Sequence, residues 1–324
     1  MCGRLDNYLL SFSKLRVDRN RKSWPKHTNH CSPYKPFLLL SVIDHISSGR
    51  ITTTFIEPSF ELLETFGQYI SLLPDFNRPA SMSYPFYHLD TSGFWELVPQ
   101  PGQIHQKSLS ISSMKRLREV YLGARISKDL FMLLQMAHSR EKLQTVLIDT
   151  YFSPQFQKTV HEQSLINQAS DTYSFSLMEH PATADLPIPA EHFAREREQI
   201  RSQGFRRAVI NLYQHRCALC GIKMLTPEGH TVVDAAHIKP WSESKNDNPT
   251  NGMALCKLCH WSFDNGLMSV DRQFKVLVSV ATKKDPNLPG HILTLSERHM
   301  FRPSQSRYWP SQDNFEWHRW ERFR

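Results

Sequence analysis

The sequence predicts an α+β protein in two parts: an α-rich N-terminal domain with a small sheet, and a smaller C-terminal domain of strand, loop and short helix. Three observations carry this expectation. Helical periodicity recurs between residues 36 and 151, interrupted by short aromatic runs. It lapses over 161–190, where His180-Pro181 and the Leu-Pro-Ile-Pro run at 186–189 fall. Beyond that stretch, two Cys-x-x-Cys pairs, Cys217/Cys220 and Cys256/Cys259, bracket a strand-like run and a polar loop. The expected boundaries are 1–160 for the first domain, 161–190 for a linker and 191–324 for the second domain.

The elements follow in order. Residues 1–32 are polar and basic, with Arg16, Arg19, Arg21 and Lys22 offset by Asp18. A solvated, poorly ordered lead-in is expected there, with a nucleic-acid-binding arm as the alternative. Phe37, Leu38, Leu39, Leu40, Val42, Ile43 and Ile46 describe a helix apolar nearly all round, with Pro36 in its first turn and Gly49 just past its end. Phe60, Leu62, Leu63, Phe66, Ile70 and Leu73 give a second helix within 57–73. The runs 84–89 (Tyr-Pro-Phe-Tyr-His-Leu) and 94–98 (Phe-Trp-Glu-Leu-Val), separated by Asp-Thr-Ser-Gly, read as a β-hairpin. Residues 127–137 and 140–151 are helical again, and an arginine-rich helix spans about 191–213. From Arg302 onward, arginines alternate with Tyr308, Trp309, Phe315, Trp317 and Trp320. Such a tail packs onto a small domain short of core, or binds nucleic acid; packing is the expected role.

Composition narrows the class. The chain has 324 residues, 40% hydrophobic and 22% charged, which suits a globular protein with a real core. A formal charge of +8 suits a polyanionic partner. The apolar run at 37–40 is far too short to span a membrane, and the N-terminus carries no apolar stretch of signal-peptide length. A soluble cytoplasmic protein without membrane association is the expectation.

Six cysteines are present, and four of them form the two pairs. Each pair can chelate one side of a zinc ion from a tight turn, and four thiolates close a structural tetrahedral site. A lone dithiol of thioredoxin type needs a βαβ setting that is not visible. The Cys-Lys-Leu-Cys-His run at 256–260 matches haem attachment, but that leaves the first pair unexplained. Zinc is expected. Between the pairs stand His237 and Asn251, and His260 follows the second. Hydrolysing a phosphodiester needs an activated water and neutralisation of charge on phosphorus. A neutral histidine takes the water's proton; a second holds a divalent ion; an asparagine fixes the loop between them.

Residues 206–271 resemble HNH endonucleases, particularly the branch reading Ala-Ala-His-Ile…Asn-Gly…His…Phe-Asp-x-Gly. The resemblance implies a ββα-metal fold, His237 as general base, Asn251 as the middle residue, and His260 as ligand to magnesium, manganese or a similar ion. Many HNH nucleases carry a metal-binding acid or histidine directly before the base; here Ala236 stands there. Asp234 is one candidate for the missing ligand and Asp264 another.

Residues 33–155 resemble the sulfur-binding domain joined to HNH domains in phosphorothioate-dependent restriction enzymes. The Lys-Pro-x-Leu-Leu-Leu helix and the Tyr-Pro-Phe…Leu…Gly-x-Trp run carry the match. The resemblance implies a reader of double-stranded, phosphorothioate-modified DNA. Arg78, Tyr84, Pro85 and His88 are candidates for its pocket, as are Tyr121, Gly123 and Arg125. Since one HNH site cuts one strand, double-strand cleavage calls for a homodimer or two events. The rival expectations are an HNH enzyme reading methylated or unmodified DNA, and a non-catalytic zinc-dependent DNA-binding protein.

Overall fold

Eleven consecutive residues, from Pro36 to Ile46, are buried, and the helix that carries them, α2, has almost no solvent face. The computed structural model describes residues 2–74, 81–105, 109–180, 194–284 and 290–324. It divides into two units, residues 1–168 with 227–230, and 169–226 with 231–324. Among the described residues no helix is long and apolar enough to cross a membrane.

In the first unit, α1 (Cys2–Ser13) precedes α2 (Tyr34–Ser47). Then come β1 (Phe55–Ile56), α3 (Phe60–Ser71), α4 (Ser83–His88), β2 (Trp95–Pro99), α5 (Met114–Val120), β3 (Tyr121–Ile126), α6 (Lys128–Gln135) and α7 (Ala137–Tyr151). Helix α2 packs on α3, α4, α6 and α7, and α1 lies against α7. The sheet is antiparallel in the order β1-β3-β2.

Three expectations are corrected here. The lead-in is solvated at its basic cluster, where Arg16, Arg19, Arg21 and Lys22 are exposed, but it is not a poorly ordered arm: α1 places Phe12 in the core, and Tyr151 Oη accepts from Leu15 N at 2.7 Å. Leu5, Tyr8, Leu9 and Phe12 carry the helical spacing, which the basic cluster downstream obscures in the composition. Second, 84–98 is not a hairpin. The first aromatic run is helix α4, with Pro85 in its first turn, where the missing N–H removes no helical bond. The second run is β2, whose partner is β3. The stretch 121–125, which holds the pocket candidates Tyr121, Gly123 and Arg125, is therefore part of the central strand. Gly123 is required there, because a Cβ would meet the Ile56 carbonyl and the Phe55 ring.

Third, the linker is helical over most of its length. Helix α8 (Pro154–Glu179) runs through it, and the division between the units falls within that helix. Its buried side is mixed: Gln163, Ser164, Asn167, Ser170, Asp171 and Ser174 lie inside beside Phe156, Val160, Ile166, Tyr173 and Leu177. Polar residues set among the apolar ones blur the hydrophobic period. The remainder of the expected linker, 181–190, lies outside the described residues.

Asp44 of α2 is the hub of that polar packing. It accepts from Tyr69 Oη at 2.6 Å, Asn167 Nδ2 at 3.0 Å, Gln168 Nε2 at 3.1 Å and the Ser164 hydroxyl. Burial pushes its carboxyl up to about 6, against the pull of the four donors. The folded value lies above the unfolded one. This group's contribution is therefore fullest below the unfolded value and is lost as pH rises through about 6. Asp44→Asn turns an amide N–H toward donors and is expected to cost about 3 kcal/mol. Calorimetry of the full chain across this range should show the wild-type pH dependence, and Asp44→Asn should lack it.

The second unit starts from the C-terminal half of α8 and continues with α9 (Ala194–Leu212). There follow β4 (Val233–His237), α10 (Trp241–Ser244), β5 (Gly252–Cys256), α11 (Lys257–Asp264), β6 (Met268–Val270) and β7 (Val276–Val278). The short helices α12 (Val280–Lys284) and α13 (Gly290–Leu293) lead to α14 (Gln312–Glu321). Strands β4 and β5 pair antiparallel with His237 opposite Gly252, and α9 packs on both. A Cβ at Gly252 would strike Val209 and Phe205 of α9, so the glycine after Asn251 sets how closely that helix approaches. The aromatic tail packs as expected: Tyr308 and Phe315 are buried, although Trp320 is exposed.

Candidate active site and metal centre

Cys217, Cys220, Cys256 and Cys259 place their sulfurs within 4.8 Å of one another. The Cys220–Cys256 separation is 3.7 Å. Zinc–sulfur bonds of about 2.3 Å give a tetrahedron with edges of about 3.8 Å, so the spacing suits a bound ion and is far too long for a disulfide. The first pair sits in a tight knuckle: Gly221, at φ +79°, donates to the Cys217 carbonyl. Cys256 ends β5 and caps α11, and Cys259 lies on α11. The S–H···S contact with Cys220 lowers the Cys217 thiol and raises that of Cys220 in turn.

His237 ends β4. Its ring stacks on Phe205 at 3.9 Å, nearly parallel, and its Nε2 meets Asp247 Oδ1 at 2.8 Å. Asp247 is 1% exposed and also receives Arg201 Nη1 at 2.8 Å and Tyr173 Oη at 3.0 Å. Burial works to raise this carboxyl, but the hydrogen bond from His237 and the Arg201 charge outweigh it and hold it below the usual range. An ionised Asp247 accepts the Nε2 proton, which leaves the Nδ1 lone pair as the basic site. Among the described residues Nδ1 has no hydrogen-bond partner.

Asn251 is wholly buried and does not line the cleft. Its Oδ1 accepts from Lys239 N at 2.9 Å, and its Nδ2 donates to Lys239 O and Asn246 O. It pins both ends of the loop that carries Asp247. His260, on α11, has Nε2 3.5 Å from Asp264 Oδ2, a separation suited to two atoms sharing one small divalent ion. Burial pushes the Asp264 carboxyl up, against the charges of His260 and Arg322.

His237, His260 and Asp264 face a cleft of about 330 Å³, whose other wall includes Trp317, His318 and Arg322. His318 stacks on Phe263 at 3.7 Å and bonds Ser269 Oγ and Phe263 O. Burial holds it near 4, so it is a neutral strut at neutral pH. Asp234 is absent from this cleft: its carboxylate is 62% exposed and pairs with Arg206 Nε at 2.8 Å. Ala236 is buried. Asp264, not Asp234, is the carboxylate beside His260 in the cleft.

The structure separates the candidates of the first unit. Tyr84 is 60% exposed and lies one turn from His88 on α4, ring centres 4.2 Å apart. Burial, with the charge of Lys35, lowers the His88 pKa; burial and Arg16 lower Lys35 to about 8. Arg125 is exposed on β3. Pro85, Tyr121 and Gly123 are interior, and Tyr121 Oη bonds His105 Nδ1 at 3.0 Å. Arg78 lies outside the described residues.

Residues 217–271 match the HNH endonuclease family model. Residues 7–164 match the ScoMcrA-like DNA sulfur-binding domain. A solved structure described as a modification dependent TagI restriction endonuclease aligns over 45% of this chain and 42% of its own, with 21% identity and a TM-score of 0.28. No curated protein matches the chain.

Proposed function

We propose that this chain, which joins a ScoMcrA-like DNA sulfur-binding domain to an HNH endonuclease domain, is a modification-dependent deoxyribonuclease that binds phosphorothioated duplex DNA and hydrolyses phosphodiester bonds near the modification. The observation that carries the hydrolytic half is the cleft. A carboxylate-oriented histidine base faces a histidine–carboxylate pair across a space that admits a phosphate.

In this reading His237 Nδ1 takes a proton from water as the water oxygen bonds to phosphorus. The bond from phosphorus to the 3′ oxygen breaks, and that oxygen takes a proton from solvent water, leaving a 5′-phosphate and a 3′-hydroxyl. Asp247 keeps the ring oriented and stabilises the imidazolium that forms. Asn251 holds the loop that presents Asp247. His260 and Asp264 would hold a magnesium, manganese or similar ion, which supplies charge neutralisation at the phosphate and departing oxygen. The four cysteines hold a structural zinc. One such site cuts one strand, so a double-strand break takes a homodimer or two events.

Sulfur on phosphate is larger, softer and less hydrated than oxygen, so an apolar contact selects it while basic groups hold the neighbouring backbone. Tyr84 and His88 on the exposed face of α4, with Lys35 nearby, suit that contact. The test is binding and cleavage of one duplex in phosphorothioated, methylated and bare forms. Tight binding and metal-dependent cutting of the first alone are expected. Equal affinity for all three would remove sulfur selection, and preference for the methylated form would reassign the modification.

A further inference from the structure

One cleft residue lies outside the HNH sequence pattern and meets a need that the pattern leaves open. Hydrolysis builds negative charge on the non-bridging oxygens of phosphorus, and donors fixed in advance at those oxygens lower the barrier. Among the described residues lining the cleft, Arg322 is the only arginine or lysine. It directly follows α14. Its Nη2 rests 3.3 Å from Glu243 Oε1, both side chains being nearly half exposed. So exposed a pair contributes little and exchanges readily. The guanidinium stands 5.7 Å from the Trp317 ring centre.

The backbone beneath this side chain is built in place. Arg322 N and Phe323 N both donate to His318 O at 3.0 Å, and Arg324 N donates to Gly266 O at 3.0 Å. Gly266 has φ +69°, and a Cβ there would collide with the Arg322 carbonyl. Gly266 is also the final glycine of the Phe-Asp-x-Gly stretch. That glycine is thus the seat on which the backbone of Arg322 rests.

We infer that Arg322 is a further catalytic residue, which leaves Glu243 when DNA enters and donates to non-bridging oxygens of the phosphate being cut. The planar guanidinium offers paired donors that match two phosphate oxygens, which lysine cannot reproduce. The inference rests on the nuclease reading above.

The test is single-turnover cleavage of phosphorothioated duplex by the zinc-loaded full chain with magnesium or manganese. Arg322→Ala is expected to cut about a hundredfold slower, with zinc content and melting temperature unchanged. Arg322→Lys should fall between, and Glu243→Gln should cut at least as fast as the parent. Added guanidinium, well below denaturing concentration, should restore part of the Arg322→Ala rate, which no structural defect would permit. Arg322→Ala cutting at the parent rate would overturn the inference and leave the nuclease reading intact. A slow Arg322→Ala that guanidinium does not accelerate would assign the residue to structure and overturn it too. A parent chain that cuts no duplex with any divalent ion would bring down the nuclease reading and this role together.

Discussion

His237→Ala is expected to cleave phosphorothioated duplex about a thousandfold more slowly than the parent, with unchanged DNA affinity and zinc content. Among the described residues lining the cleft, the ring is the only group whose basic nitrogen is set by a buried carboxylate, at 2.8 Å. Its removal takes away the proton acceptor and leaves the cysteine site untouched, since none of those sulfurs contacts it. Asp247→Asn is the informative companion. An asparagine amide there can donate to Nε2, which moves the ring proton to Nδ1 and abolishes the lone pair that takes the water proton. A loss of about a hundredfold or more is expected, from the wrong tautomer. The variant also leaves Arg201 with a neutral partner, so zinc content and melting must be recorded beside the rate. Single-turnover cleavage separates the outcomes. If His237→Ala cuts at the parent rate, the base has been misassigned.

The parts of this site differ in how far the sequence reveals them. Cysteines at two-residue spacing and the order His237, Asn251, His260 are local patterns, and the strands and helix that hold them follow from neighbouring apolar residues. Asp247 is not local. It lies ten residues beyond His237 in a polar stretch of Asn246, Asp247 and Asn248, where nothing in composition separates the acid that turns inward from its neighbours. Arg322 and His318 are further still: only the packing of α14 brings them to the cleft. Asp234 shows the converse. Proximity along a strand suggested a ligand, but the side chain finds Arg206 on α9 instead. In the first unit, the buried helix α2 was plain from its run of apolar residues. Helix α8 was hidden because serine, asparagine and aspartate interrupt the apolar residues on its buried side. Hydrophobic periodicity reports burial in oil-like surroundings, and neither a polar interface nor a long-range pairing leaves that trace.

Removing zinc is expected to have the largest effect on the fold. Both Cys217 and Cys220 lie in the knuckle after α9, whereas Cys256 and Cys259 lie at the junction of β5 and α11. An ion held by these four sulfurs would tie the knuckle after α9 to the junction between the strand pair bearing His237 and the helix bearing His260. Structural zinc sites of four protein ligands contribute about 10–16 kcal/mol of apparent binding free energy in small domains, more than a small domain's own core supplies. A chelator strong enough to extract zinc, or Cys256→Ser, should abolish the second unit's cooperative unfolding transition and all cleavage. Binding of phosphorothioated duplex should persist, because the sulfur-binding match, residues 7–164, includes none of the four cysteines. Zinc should restore both properties to chelated wild type. Magnesium, a hard ion with poor affinity for thiolate, should restore cleavage only where zinc is still bound. That difference distinguishes the two metal roles in a single titration. A zinc-free sample that melts like the untreated protein would show that the four sulfurs do not hold the fold together.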